Sequence, residues 1–167
     1  MGILILAVIV GVLVWPKGPE YGEYDNGIFE FKYPKDMKVI SAKDDLFVAH
    51  REYGSKEHIG VERHENTTIE RWCEGMLFEP GTDYKDYIIW EGNIQGRPAI
   101  MLEDYDPLID ILDYYLLIQE SNDVWLFHVD GRGDMETTVI TLSGKSVKVP
   151  KEMGIMLQTL KFHKPAK

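Results

Sequence analysis

The chain has 167 residues, 44% hydrophobic and 28% charged, enough for one ordinary folding unit with its own core and little long disorder. A formal net charge of −10 excludes nucleic acid as a partner, because phosphate binding needs a basic surface; it also argues against direct docking of the folded part on anionic lipid. Cys73 is the single cysteine, so an internal disulfide and a multi-cysteine zinc site are both excluded.

Residues 3–15 read ILILAVIVGVLVW without a charge. Packed as a helix they span about 20 Å, short of the roughly 30 Å hydrocarbon core of a bilayer. A signal-peptide hydrophobic region, a membrane anchor and a buried core element are the three readings. No A-x-A cleavage pattern follows, and a helix apolar all round does not suit the surface of a small domain. The expectation is a hydrophobic anchor or signal segment over 1–15, with membrane contact through residues 3–15. Trp15 stands at its end, as an interfacial aromatic does. Pro16, Gly18 and Pro19 break the helix and open a linker over 16–23. A single domain is expected over 24–167. Asn66-Thr67-Thr68 is a glycosylation sequon, which fits an extracytoplasmic domain.

Phe29, Phe31 and Tyr33 alternate with Ile28, Glu30 and Lys32, the period of a strand with one aromatic face. Pro34 stops it. Leu46–Arg51 and His58–Arg63 are two further strands, joined around Gly54 and Ser55. The period then changes. Ile69, Trp72, Cys73, Met76 and Leu77 recur at helical spacing, with Thr67 and Glu70 in a capping-box pattern before them and Pro80-Gly81 as the stop. Cys73 falls on that inner stripe and reads as packing.

Tyr87–Trp90 and Pro98–Glu103 flank the turn-rich stretch from Gly92 to Gly96. Ile111–Gln119 and Val124–Asp130 flank Ser121-Asn122-Asp123. In the first of these, Leu112, Tyr114, Leu116 and Ile118 fill one face, while Ile111, Tyr115 and Leu117 occupy the other. A strand apolar on both faces is covered on both. Pro150 suits a first helical turn, and Met153, Met156, Leu157 and Leu160 form a second helical stripe. Hairpins dominate and parallel βαβ units are not evident. The fold class read from this order is α/β (α+β), an antiparallel sheet with helices packed on it.

Four stretches carry a family resemblance: the opening Ile28-Phe29-Glu30-Phe31-Lys32-Tyr33-Pro34, the hairpin from Glu91 to Ala99, the paired strands around Ser121 to Asp123, and the closing Leu157-Gln158-Thr159-Leu160-Lys161-Phe162. Together they resemble the PsbP-like family, whose fold is shared with the Mog-type Ran-binding proteins. The resemblance covers roughly residues 24–163, and its motifs are short and structural. It implies an α/β/α sandwich around a mainly antiparallel sheet. It also implies a binding or assembly role rather than catalysis.

The sequence offers few candidates for chemistry. Glu103, Asp104, Asp106, Asp110 and Asp113 crowd one loop and its flanks. Asp104, Asp106 and Asp110 are the candidate ligands for a divalent cation, Ca²⁺ or Mn²⁺, although the spacing is not that of an EF-hand. His58, Glu62 and His64 share strand parity, but an extended strand separates the two histidines by roughly 20 Å, so they do not share one ion. Arg132-Gly133-Asp134 spells an adhesion tripeptide that a tight turn explains equally well. His50 and His128 fall on strands. No G-x-S-x-G, P-loop, G-x-G-x-x-G or H-E-x-x-H occurs, so no catalytic residue is assigned. The function expected is a membrane-tethered, non-catalytic binding or assembly-support module, with another membrane or envelope protein as partner. The alternative is a small-ligand or divalent-metal-binding domain using the acidic loop.

Overall fold

The computed structural model describes residues 20–51, 57–77, 82–108, 110–132 and 135–164. The hydrophobic segment 3–15, the Gly54-Ser55 connection and Pro80-Gly81 lie outside them. No helix among the described residues is long and apolar enough to cross a membrane.

Strands dominate. In chain order they are β1 Tyr21–Asp25, β2 Phe29–Pro34, β3 Lys38–Lys43, β4 Leu46–His50 and β5 His58–His64. The short helix α1, Ile69–Trp72, follows, running into a π-helical turn Cys73–Leu77 and a 3-10 turn Tyr84–Tyr87. Then come β6 Ile88–Ile94, β7 Arg97–Asp106, β8 Ile111–Glu120, β9 Asp123–Arg132, β10 Thr137–Leu142 and β11 Lys145–Pro150. Helix α2, Lys151–Thr159, and the two-residue β12, Lys161–Phe162, close the chain.

A seven-stranded antiparallel sheet in the order β3-β4-β5-β9-β8-β7-β6 forms the body. Its interior strand β8, between β9 and β7, is apolar on both faces, as its sequence requires. Leu116 and Ile118 belong to one buried cluster and Leu117 to the other, and all three are fully buried. Each such side chain contributes about 1.5–3 kcal/mol on burial.

The larger cluster lies on the face formed by Phe47, Ile59, Val61, Trp125, Phe127, Leu116 and Met101. It is covered by a three-stranded sheet, β1-β2-β12, by the hairpin β10-β11, and by α2. The alternation seen in β2 holds: Phe29 and Phe31 are buried while Glu30 and Lys32 are not. Phe29 meets Trp125 edge-on with ring centroids 4.8 Å apart, a favoured aromatic geometry. The opposite face carries the second cluster. There Ile69, Trp72 and Cys73 of the helical segment cover Ile100, Leu102, Leu117, Val124 and Leu126.

The antiparallel sheet agrees with the expectation from sequence. The helical layers are thinner than a sandwich implies, because small sheets share the covering role on one face and a single short helix serves the other. Three local readings change. β1 starts at Tyr21, inside the stretch expected as linker, because Tyr21 pairs with Pro34 and the ribbon is held from its first residue. The helix cap is Thr68, not Thr67: Thr68 has extended dihedrals, and its hydroxyl accepts the Arg71 N–H at 3.3 Å. Leu160 caps α2 rather than continuing it. The hairpin turns at Gln95-Gly96 and Ser143-Gly144 both place two successive residues at positive φ, the type I′ geometry that suits strand twist.

Arg97 fastens the chain's closing segment to the sheet. It is only 2% exposed. Its Nε donates to Glu120, its Nη1 to the Gln95 carbonyl at 3.1 Å, and its Nη2 to the Lys164 carbonyl at 2.6 Å. The guanidinium also lies 3.8 Å above the Phe162 ring. Removing the guanidinium strands Glu120 and two carbonyls. Arg97→Met is therefore expected to lower stability by about 3 kcal/mol in urea unfolding, with Arg97→Lys recovering only part of the loss.

Candidate functional site

The second sheet face is covered only in part. Where the helical segment does not reach, the register sets polar side chains side by side. Asp104 of β7 is the cross-strand partner of Asp113 of β8, Asp113 of Asp130 on β9, Asp130 of His58 on β5, and His58 of His50 on β4. Directly paired residues share a face, so this is one row across five neighbouring strands. A second row beside it holds Leu102, Tyr115, His128 and Gly60.

Two histidine–aspartate pairs organise the patch. Asp130 Oδ1 accepts both the His58 backbone N–H, at 3.1 Å, and the His58 Nδ1. That double grip holds the imidazole and places its proton on Nδ1. His128 Nε2 lies 3.1 Å from Asp113 Oδ1. The two imidazoles meet edge to face at 4.9 Å, and Tyr115 stacks flat on His128 at 4.6 Å with the planes 4° apart. Gly60 sits opposite His128, and a Cβ there would come within 3.6 Å of the His58 ring.

The hydrogen bond to Asp130 raises the His58 pKa above its ordinary value against the opposing effect of burial, with Asp130, Asp113 and Glu62 adding their charge. Asp104 is also raised, chiefly by burial and then by the Asp113 carboxylate beside it. Burial likewise holds the Tyr115 phenol well above its usual range. His64 lies at the other end of β5 against Trp72, with ring centroids 5.3 Å apart, and burial lowers its pKa. His58 and His64 thus occupy distinct surroundings on one strand, as their spacing requires.

The acidic residues singled out from sequence part company. Asp104 and Asp113 join the row just described. Asp106 Oδ1 accepts the Leu108 N–H at 2.8 Å and shapes the turn. Asp110, at φ 53, accepts the Tyr105 hydroxyl at 3.1 Å. Asp104, Asp106 and Asp110 therefore do not converge as a ligand set. Among the described residues, three ligand atoms come within 4.8 Å of one another at a different place, Asp25, Glu30 and His163. Sequence reasoning missed that set because its members come from β1, β2 and the end of the chain. Cys73 is fully buried, and burial pushes its thiol up to about 12, far from a nucleophile's range. Asn66 of the sequon is exposed in a turn at φ 54. Arg132 is exposed at the end of β9, and Gly133 and Asp134 lie outside the described residues. His50 sits at the far end of the polar row, its Nδ1 at 3.1 Å from the Arg51 carbonyl.

The sign of the pH dependence follows from His58. Its raised pKa gives stability that is fully present below the unfolded value of about 6.5 and is lost as pH rises through the folded value. His64 acts oppositely, losing stability as pH falls below about 6.5. His58→Gln is expected to flatten the decline in unfolding free energy as pH rises above about 6.5, leaving the acid side in place. Urea titrations at a series of pH values read both limbs.

No family model matches the chain, and no curated protein matches it. A crystal structure from Bacteroides thetaiotaomicron is similar to it with a TM-score of 0.53 and 9% identity. The match covers 85% of this chain and 48% of that one, so this chain spans about half the length of that protein. At that identity the likeness concerns the fold alone.

Proposed function

We propose that this chain is a non-catalytic binding module, held at a membrane through residues 3–15, that takes a cationic segment of another membrane or envelope protein on the open part of its sheet. The observation that carries the reading is the row Asp104, Asp113 and Asp130 on three adjacent strands, left uncovered beside a covered apolar half. Like charges directly opposite one another are unfavourable in a sheet. Asp130 and Asp113 are each answered by a histidine. Among the described residues no histidine answers Asp104, so burial and then repulsion by Asp113 weigh on its ionised form. A lysine or arginine laid across the strands would relieve it. Exposed Leu108, at 93%, supplies apolar contact at the same end.

The finer architecture, a PsbP-like α/β/α sandwich, belongs to the same proposal. Its support is that α1 packs with one buried cluster and α2 with the other, on opposite faces of the sheet. The family's association with binding and assembly then points the same way as the polar row. The net charge of −10 favours a basic partner and steers its approach.

Crosslinking of the tagged full-length chain in native membranes tests the reading. One reproducible partner is expected, its yield falling at high salt. Asp104→Lys combined with Asp106→Lys should reduce that yield at least about tenfold while leaving the fold intact by circular dichroism. Undiminished capture by the charge-reversed chain would sink the proposal.

A further inference from the structure

The Asp25, Glu30 and His163 cluster stands on the opposite side of the molecule's logic from the polar row, at the junction of the first ribbon and the end of the chain. Asp25 and Glu30 are direct cross-strand partners on β1 and β2, so their side chains share a face. His163 follows β12, whose Lys161 pairs with Glu30 and whose Phe162 pairs with Phe29. The His163 N–H donates to the Ile28 carbonyl at 2.9 Å, which anchors the histidine backbone over the turn between β1 and β2. That turn is itself fixed. Gly27 stands at φ +78, its N–H donates to Asp25 Oδ1 at 2.8 Å, and Asn26 Oδ1 accepts the N–H groups of Ile28 and Phe29. Backbone hydrogen bonds therefore set all three ligand-bearing positions before any ion arrives.

We infer that these three side chains form a divalent transition-metal site of the zinc type, which clasps the end of the chain to the N-terminal ribbon. One imidazole and two carboxylates suit Zn²⁺ better than Ca²⁺, which takes six to eight oxygens. Ligand atoms in a tetrahedral zinc shell stand on the order of 3.4 Å apart. The atoms here lie within 4.8 Å of one another, with His163 Nε2 already 2.9 Å from Asp25 Oδ1. Small side-chain rotations bring them onto one ion, and the exposed surroundings leave water to complete the shell. Gly27's N–H on Asp25 is an outer partner that orients the ligand. One group opposes the ion: Lys161 Nζ lies 3.1 Å from Glu30 Oε1 and must swing away.

That opposition gives the test its discriminating arm. Isothermal titration of ZnCl₂ into chelator-stripped full-length chain is expected to show one zinc per chain. His163→Ala and Asp25→Asn should each weaken binding at least about tenfold. Lys161→Met should strengthen it by freeing Glu30. Absence of binding at millimolar zinc would overturn the assignment. So would unchanged binding in both His163→Ala and Asp25→Asn, which would place the ion on His58, His128 or another histidine. The site is remote in sequence from Asp104 and Asp106, so this result and the crosslinking result stand or fall separately.

Discussion

Everything in this fold follows from a strand that is apolar on both sides. β8 carries Leu116 and Ile118 towards one face and Leu117 towards the other, and all three are fully buried. A sheet built on such a strand cannot leave either face to water near its centre. The chain answers with unequal covers. One face receives a second small sheet, a hairpin and α2. The other receives one helical turn and its π-helical extension, which reach only across Ile100, Leu102, Leu117, Val124 and Leu126. Where that cover ends, the same strands must turn polar. β7, β8 and β9 do so at Asp104, Asp113 and Asp130, within a few residues of their buried stretches. The polar row is thus the edge of the core, which is why it is both orderly and partly buried.

Ordering charges there has an electrostatic consequence. Three carboxylates on neighbouring strands repel, and the structure compensates with imidazoles rather than with fixed cations. His58 and His128 each take one aspartate. The charge of His58 varies with pH, so its share of the compensation is conditional in a way that lysine or arginine would not be. Arginine serves where permanence matters. Arg97 locks the β6-β7 turn to Glu120 and to the end of the chain, and Arg51 joins Asp36, Glu57 and the buried Glu152. The fold uses these two guanidinium groups to hold its parts together and sets His58 and His128 on the open face.

The closing of the molecule is non-local throughout. β12 pairs with β2 across more than a hundred residues of chain, and Thr159 Oγ1 accepts the Lys32 N–H at 2.9 Å. Phe162 packs against Phe29 and under Arg97. The last residues of the described chain therefore finish the first ribbon, and the Asp25, Glu30 and His163 group arises at that seam.

Much of this was legible in the sequence, because strand period is a local property. The alternation at β2, the two-faced character of β8, the helical stripes at Ile69 and Met153 and the hairpins around residues 92–96 and 121–123 were readable from neighbouring residues. β3 escaped because its residues are mostly exposed and carry no apolar face to read. β10 and β11 escaped as well, since each is half solvated and buries few side chains. The pairing of Asp113 with Asp130 could have been found: a turn at Ser121 and Asn122 determines every pairing outward along that hairpin. The meeting of His58 with Asp130 could not, since β5 lies beside β9 only through tertiary packing. By itself the sequence determined most strands of the large sheet and which of their faces are apolar. Tertiary structure alone decided which distant strands adjoin, and so which polar residues share a surface. The reason is physical: side-chain periodicity is written within one strand, whereas a site is made by register between strands that the chain separates.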